Sequence, residues 1–247
     1  MKIKAIVTGH SRGLGTGIAQ ALLARGVKVL GLSRKGSAQL AQDHPDHLEE
    51  QAIDLSDLAA LSAWLAGPAL ERFLADADQA LLVNNAGIVA PIGPLATQLP
   101  ATVAQAVTVN VSAPLMMAAA FAQVPTPAQQ RRILHVSSGA GRSPYPGWSV
   151  YCATKAALDQ HARCVVLDRN DGLRICSLAP GVIDTGMQHE IRATDPERFP
   201  MHDRFVRMAR EGALADAHAT GASIASYLLS TDFGEHPVAD LRDLSTD

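Results

Sequence analysis

Cysteine is scarce in this 247-residue chain, which has only Cys152, Cys164 and Cys176, each within an apolar stretch. Three thiols so placed give no disulfide framework and point to a reducing, cytoplasmic setting. Long apolar runs are also missing. The longest, Ala113–Ala122, has ten residues and no charge, against about 20 needed to cross a bilayer, and it reads as a buried helix. At the amino terminus only Ala5, Ile6 and Val7 are consecutive apolar residues before Thr8-Gly9, too few for the core of a signal peptide. Nor is there an excess of one charge. With 21 Lys+Arg against 24 Asp+Glu, the chain carries no electrostatic footprint for nucleic acid or an anionic membrane. Internal repeats, low-complexity segments and Gly/Ser linkers are absent, so residues 1–247 read as one domain. At 47% hydrophobic, the sequence is incompatible with a disordered, collagen-like or coiled-coil chain. A chain of this size buries about 70–75% of its unfolded surface, enough for a core without staples.

Short β-branched apolar runs alternate with longer helix-like stretches. Ile3–Thr8, Val27–Ser33, Leu81–Asn84, Ile133–Ser137 and Arg174–Ala179 read as strands covered on both faces. Gly13–Arg25, Leu58–Ala75, Thr102–Gln123 and Ser149–Asp168 are long enough for helices, while Lys35–Glu50 is merely polar. This is the βαβ rhythm of an α/β fold with a parallel sheet. Two segments break it. Pro91–Pro100 holds three prolines and a glycine and predicts a surface loop. Met187–Gly212 is polar, interrupted by proline and helix-capable, directly after a strand, which makes it a candidate lid over a ligand at the carboxyl ends of the strands.

After the first strand comes Thr8-Gly9-His10-Ser11-Arg12-Gly13-Leu14-Gly15, opening an Ala-rich helix. Glycines there allow a tight turn and close approach of a pyrophosphate to the positive end of the helix. A glycine turn serving chain geometry alone is the competing reading. The strand-then-helix context favours the cofactor. Arg34 lies 19 residues beyond Gly15 and is followed by Lys35. An Asp or Glu at about that distance would meet the free 2′-hydroxyl of NAD; two cations, with Arg12 as a third, favour the 2′-phosphate of NADP. A solvated basic loop is the alternative.

Tyr151 and Lys155 stand four apart on one face of the helix predicted from Ser149. An ammonium near the phenol is expected to lower its pKa, and such a phenol can give a proton to a carbonyl oxygen as hydride reaches the carbon. Ser138, closing a strand, could hydrogen-bond the same oxygen. Alone, Tyr-x3-Lys recurs by chance on many helices. The combination with the glycine turn and Ser138 makes chance a poor account.

With these motifs the chain resembles the short-chain dehydrogenase/reductase family over nearly its whole length. The match is carried by Thr8-Gly9-x3-Gly13-x-Gly15, Asp54-Leu55, Asn84-Asn85-Ala86-Gly87, Asn110, Ser138, Tyr151-x3-Lys155 and Pro180-Gly181-x3-Thr185. The resemblance implies a single-domain, Rossmann-type doubly wound parallel sheet, with residues 1–140 mainly binding cofactor and 141–247 supplying the catalytic helix, nicotinamide loop, lid and tail. It implies Tyr151 as general acid/base, Ser138 as substrate-orienting, Lys155 on the nicotinamide ribose and Asn110 holding a relay water. Gly9, Ser11, Arg12, Gly13, Leu14, Gly15, Arg34, Asp54, Leu55, Asn85, Ala86 and Gly87 would serve the adenosine and pyrophosphate side, and Pro180, Gly181, Val182 and Thr185 the nicotinamide end.

Within the family, Pro144-Tyr-Pro-Gly-Trp148-x2-Tyr151 and Asp184-Thr-x-Met187-Gln188 look like the sepiapterin reductase and benzil reductase subgroup. That likeness implies Trp148, Met187 and Gln188 as substrate-lining and Asp240 as a tail carboxylate anchoring a pterin. One residue is inserted before Asp240 and Gly186 replaces the subgroup's usual acid, so an idle surface carboxylate is an equal reading. The tail lacks the glycine-rich strand of many tetrameric relatives. A homodimer on helices beginning near Val111 and Ser149 is the corresponding expectation.

The nine histidines give no metal-ligand spacing, and none is read as a metal site. Cys152 reads as a packed thiol, and Met116 and Met117 as core or dimer contact. The expected activity is NADPH-dependent reduction of a ketone, 1,2-diketone or pterin side-chain carbonyl. A non-catalytic NADP sensor, an NAD-dependent alcohol dehydrogenase, and an epimerase or dehydratase are the rivals. The small-molecule carbonyl is the one partner expected besides a second copy.

Overall fold

A computed structural model describes residues 1–244. Among them seven strands form one parallel sheet in the order β3-β2-β1-β4-β5-β6-β7: β1 (Ile3–Thr8), β2 (Lys28–Ser33), β3 (Leu48–Ala52), β4 (Gln79–Asn84), β5 (Gln130–Val136), β6 (Leu173–Ala179) and β7 (Val238–Asp240). Side chains alternate across the strands. Ala5 and Val7 face one helical layer and Ile6 the other. The first layer brings α1 (Gly13–Leu23) and α10 (Ala217–Leu229) onto the sheet through Ile18, Leu22, Ile224 and Leu228. The second packs α3 (Leu58–Leu65), α4 (Ala69–Leu74), α6 (Ala113–Gln123) and α7 (Ser149–Leu167) through Leu61, Leu74, Met117, Phe121 and Ala162. The chain order reverses between β1 and β4. Their carboxyl ends therefore open the crevice in which a doubly wound sheet binds ligands.

Several elements depart from the sequence reading. β3 lies inside the polar stretch Lys35–Glu50 and continues to Ala52, after a short α2 (Ala38–Asp43). As an outer strand carrying Glu49, Glu50 and Gln51, it has no apolar run to betray it. The single helix expected over Leu58–Ala75 is two, broken at Gly67-Pro68, because proline has no N–H to give and its ring obstructs the preceding turn. Pro100–Gln123 is helical throughout, as α5 (Pro100–Val107), a π-turn at Thr108–Ser112, and α6. By length and composition this stretch would suffice to cross a bilayer; here Ala113, Met117, Ala118 and Phe121 are buried on the sheet. The lid segment forms α8 (Gly186–Arg192) and α9 (His202–Arg210). The tail, expected without its relatives' glycine-rich strand, ends in the three-residue β7, parallel to β6.

The α1–α10 contact depends on two glycines. A Cβ at Gly17 would lie 2.3 Å from the Ala217 carbonyl oxygen, and one at Gly221 the same distance from the Gly17 carbonyl carbon. Both obstacles are backbone and cannot swing aside. Gly17→Ala is expected to lower unfolding free energy by about 2 kcal/mol, in the range of overpacking, despite alanine's better helix propensity. A urea titration beside Gly212→Ala, whose Cβ meets nothing within 4 Å but whose φ of +67° disfavours alanine, separates packing from backbone strain.

Candidate active site

The turn after β1 is shaped by Gly9 and Gly13, at φ +69° and +57°, which side-chain-bearing residues seldom adopt. Arg12 precedes α1, and no side chain accepts from its first N–H groups, nor does any acid sit in its first turn. Among the described residues the positive end of this helix thus has no anionic partner, a setting that suits a pyrophosphate. Arg12 and Arg34 are exposed, and among the described residues neither takes part in an ion pair. Asp54, after β3, is turned by hydrogen bonds from the Ser56 N–H and hydroxyl, which with Arg34 nearby hold its carboxyl below the usual range. Leu55 is buried in the second layer. These residues fit the adenosine half of a dinucleotide.

The Asn85–Gly87 run after β4 proves largely a fastening. Thr8 Oγ1 accepts from the backbone N–H groups of Asn85 and Ala86, each at 3.0 Å, and Asn85 Nδ2 donates to the Thr8 carbonyl at 2.9 Å. The two strand ends that flank the crevice are thereby tied together. Gly87 leaves room beside Asn110 Oδ1 and Lys155 Nζ, 3.3 and 3.6 Å from where its Cβ would stand. Asn110 lies in the π-turn, 1% exposed. Its Oδ1 accepts from Ile88 N–H and its Nδ2 donates to Ile88 O, both at 2.8 Å, and to Thr154 Oγ1 at 3.2 Å. Both ends of this amide are committed. Any relay water falls to the main chain, which a π-turn withdraws from the regular helical pattern.

Helix α7 brings Tyr151 and Lys155 to the end of β5, where Ser138 follows. The Lys155 ammonium lies 5.6 Å from the Tyr151 ring centroid and donates to the Val136 carbonyl at 2.8 Å. Here the expected electrostatics are reversed. Burial pushes the Tyr151 phenol up to about 12, although the Ser138 hydroxyl bonded to it acts in the opposite direction. Burial likewise brings Lys155 down to about 8, opposed by the Asp159 carboxylate. Desolvation outweighs the attraction of the pair because each charged form would stand in a dry site.

Sequence reasoning missed Asp159, one helical turn beyond Lys155 and 1% exposed. Its Oδ1 accepts from Ser137 Oγ and Ser177 Oγ, both at 2.7 Å, and its Oδ2 from Arg142 Nε at 3.1 Å. Arg142 reaches on to the Ala239 carbonyl in β7 at 2.9 Å. The catalytic helix, the ends of β5 and β6, and the tail are joined by one carboxylate. An acid one helical turn beyond Lys155, on the same face, was the available signal.

Beyond β6, Gly181 takes φ +90°, and Thr185 approaches the glycine turn, its Cγ2 being 3.2 Å from the Cβ position of Gly13. Val182 O accepts from Ala215 N–H at 2.9 Å. The Pro180–Thr185 loop thus closes against the glycine turn. Of the expected substrate residues, Trp148 is buried, stacked on Phe199 at 5.0 Å and edge-on to Tyr151 at 5.4 Å. Met187 packs partly exposed against the same cluster. Gln188 is buried with its Oε1 unpaired. Asp240 is held by Arg242 at 2.7 and 2.8 Å and caps the last turn. A cavity of about 380 Å³ between Ala90–Thr102 and Glu190–Arg198 is lined by none of the catalytic candidates.

Comparison with known families places residues 4–196 on the short chain dehydrogenase pattern. The chain belongs to the short-chain dehydrogenase family. It is therefore an oxidoreductase of a family that binds a nicotinamide cofactor. It is similar to the benzil reductase ((S)-benzoin forming) of Bacillus cereus, 31% identical over 94% of this chain and 96% of that one. The sepiapterin reductase of Xenopus laevis is 34% identical over 79% and 80% of the two chains. A crystal structure of a short-chain dehydrogenase/reductase from Burkholderia vietnamiensis covers 99% of both chains at 49% identity with a TM-score of 0.72.

The buried lysine makes a pH prediction. In the unfolded chain Lys155 keeps its proton to about its ordinary value of 10.5, in the folded chain only to about 8. Between these values the unfolded state holds more protons, so the native state gains stability as pH rises. The difference in unfolding free energy between wild type and Lys155→Met should climb in favour of wild type from about pH 8 to 10.5 in urea titrations. A flat difference would place the ammonium in water.

Proposed function

We propose that the chain is an NADPH-dependent carbonyl reductase acting on a ketone, a 1,2-diketone or the side-chain carbonyl of a pterin. The observation that carries this reading is the meeting of a buried phenol, a serine hydroxyl and a buried ammonium at one strand end beside the crevice. NADPH, its pyrophosphate held at the glycine turn and its nicotinamide toward Pro180–Thr185, would supply hydride to the carbonyl carbon. Ser138 holds the substrate oxygen, and Tyr151 gives it the phenolic proton. A phenol titrating high is suited to remain protonated at neutral pH, as a general acid requires. Lys155 binds the nicotinamide ribose and moderates charge on the phenol as the proton leaves. The main chain at Asn110 would hold the water from which the proton given up by Tyr151 is replaced, while its side chain keeps the Ile88 loop in place.

Arg12, Arg34 and Lys35 support the choice of NADP, since cations attract a 2′-phosphate where a carboxylate would repel it. A non-catalytic sensor would have no use for a tuned phenol. The benzil and sepiapterin relatives support the substrate class, with Met187 and Gln188 on the lid and Trp148 behind the phenol. Asp240, engaged by Arg242, serves a substrate only after exchanging that partner. We further propose a homodimer through the outward faces of α5, α6 and α7, which leave Val107 and Ala153 exposed, in a reducing cytoplasm that suits three free thiols.

Loss of NADPH absorbance tests this with sepiapterin, benzil, an aliphatic diketone and an aryl ketone, with NADH as control. Turnover is expected with NADPH. Tyr151→Phe should bind NADPH within a few-fold of wild type and lose at least about 100-fold in kcat, the lower range for a general acid. Arg34→Asp should move preference toward NADH. Retained turnover in the first variant, or an unchanged cofactor ratio in the second, would defeat the corresponding assignment.

A further inference from the structure

The second residue of the glycine motif, His10, has no part in the chemistry so far described, yet its ring is fully buried. It lies flat over Gly31 of β2, where even a Cβ would come within 2.6 Å of three ring carbons. Its Nε2 meets Glu50 Oε1 at 2.5 Å, and its Nδ1 has no partner among the described residues. Glu50 stands on β3 opposite Gly31 in the sheet register. The same Oε1 accepts from Ser37 N–H at 2.7 Å, and Oε2 crowds Gly36. An acid thus stands beneath the loop that follows Arg34 and Lys35, the corner where the cofactor's 2′ position is read.

A carboxylate free in that corner would accept from a 2′-hydroxyl and repel a 2′-phosphate. Glu50 is not free. Its oxygens are drawn inward by the imidazole and the Ser37 amide, and its side chain is only 26% exposed. We propose that His10 is a specificity-determining residue that restrains Glu50, keeping its carboxylate away from the 2′ position so that Arg12 and Arg34 read a phosphate there. Glu50 at the same time pins the Gly36–Ser37 backbone, fixing the loop that presents Arg34. This rests on the NADPH reading above and names the device that makes that choice tolerable beside an acid.

The test is direct binding, by calorimetry, of NADPH, NADH and adenosine 2′,5′-bisphosphate to wild type and variants without substrate. His10→Phe keeps a flat ring on Gly31 and releases Glu50. It should weaken NADPH and the bisphosphate by about tenfold while NADH holds or tightens. Glu50→Gln, which keeps an acceptor for Ser37 and loses the charge, should bind NADPH as well as wild type or better. The double variant should recover most of the tenfold loss. Equal weakening of NADPH and NADH by His10→Phe, or no recovery in the double variant, would reduce the pair to packing and overturn the proposal. If His10→Phe does not fold, Glu50→Gln decides, and weakening of NADPH by more than threefold would refute the restraint. The wild-type ratio reports separately on the NADPH reading. Tighter NADH binding by wild type would end that reading, while the pair would still be judged by the direction in which the variants move the ratio.

Discussion

The buried carboxylate of Asp159 is the point on which the rest of the site depends. Two serine hydroxyls and a guanidinium converge on it from β5, β6 and the turn after Ser138. Each neighbour of a hub residue carries a functional group. Ser137 precedes Ser138, Ser177 lies three residues before Pro180, and Asp159 itself is one turn from Lys155. An isolated carboxylate in such a place would be prohibitively costly, and its retention follows from complete pairing. The same charge opposes the loss of the Lys155 proton in a site where burial alone would remove it. One group that bonds neither member of the pair thus ties their helix to the neighbouring strand ends and moderates the charge state of Lys155.

This arrangement explains what was legible in the sequence. The glycine turn, Tyr151-x3-Lys155 and Ser138 depend on local spacing: a positive φ, one helical turn, a strand end. Such features are written in consecutive residues. The doubly wound sheet was readable for the same reason, since buried parallel strands need continuous apolar runs. What escaped was defined across the fold. β3 is an outer strand whose pairing with β2 tolerates Glu49, Glu50 and Gln51, and β7 is three residues sheltered by β6. Asp159 and His10 are polar residues whose meaning lies in partners 17 to 40 positions away. The break at Gly67-Pro68 is different, because its signal was local and plain.

The tyrosine pKa shows the same division in energetic form. Spacing correctly brought an ammonium near the phenol, and the sign of the shift was nonetheless opposite to expectation. Proximity is a property of a helix, whereas desolvation is a property of everything packed around it. Val136 takes the lysine's hydrogen bond, and Trp148 lies edge-on against the phenol ring. In a dry pocket both members of the pair favour their neutral forms. The phenol is then a proton source awaiting a base. In the reduction proposed above, such a base would arise at the carbonyl oxygen as hydride adds, coupling the two transfers through the burial of the phenol.

That dryness has an identifiable origin. The chain has only ten aromatic residues, and Tyr145, Trp148, Tyr151, Phe199 and Phe205 gather in one cluster beside the phenol. Phe199 and Phe205 come from the lid segment, Phe205 within α9, whereas Trp148 immediately precedes the catalytic helix. Stacking at 5.0 Å between Trp148 and Phe199 makes lid position and burial of the phenol one property. A lid held on the phenol's own neighbours excludes water most fully when it is seated, and it loosens that exclusion when it moves. Substrate entry across this segment would therefore alter the ease of proton transfer as well as access.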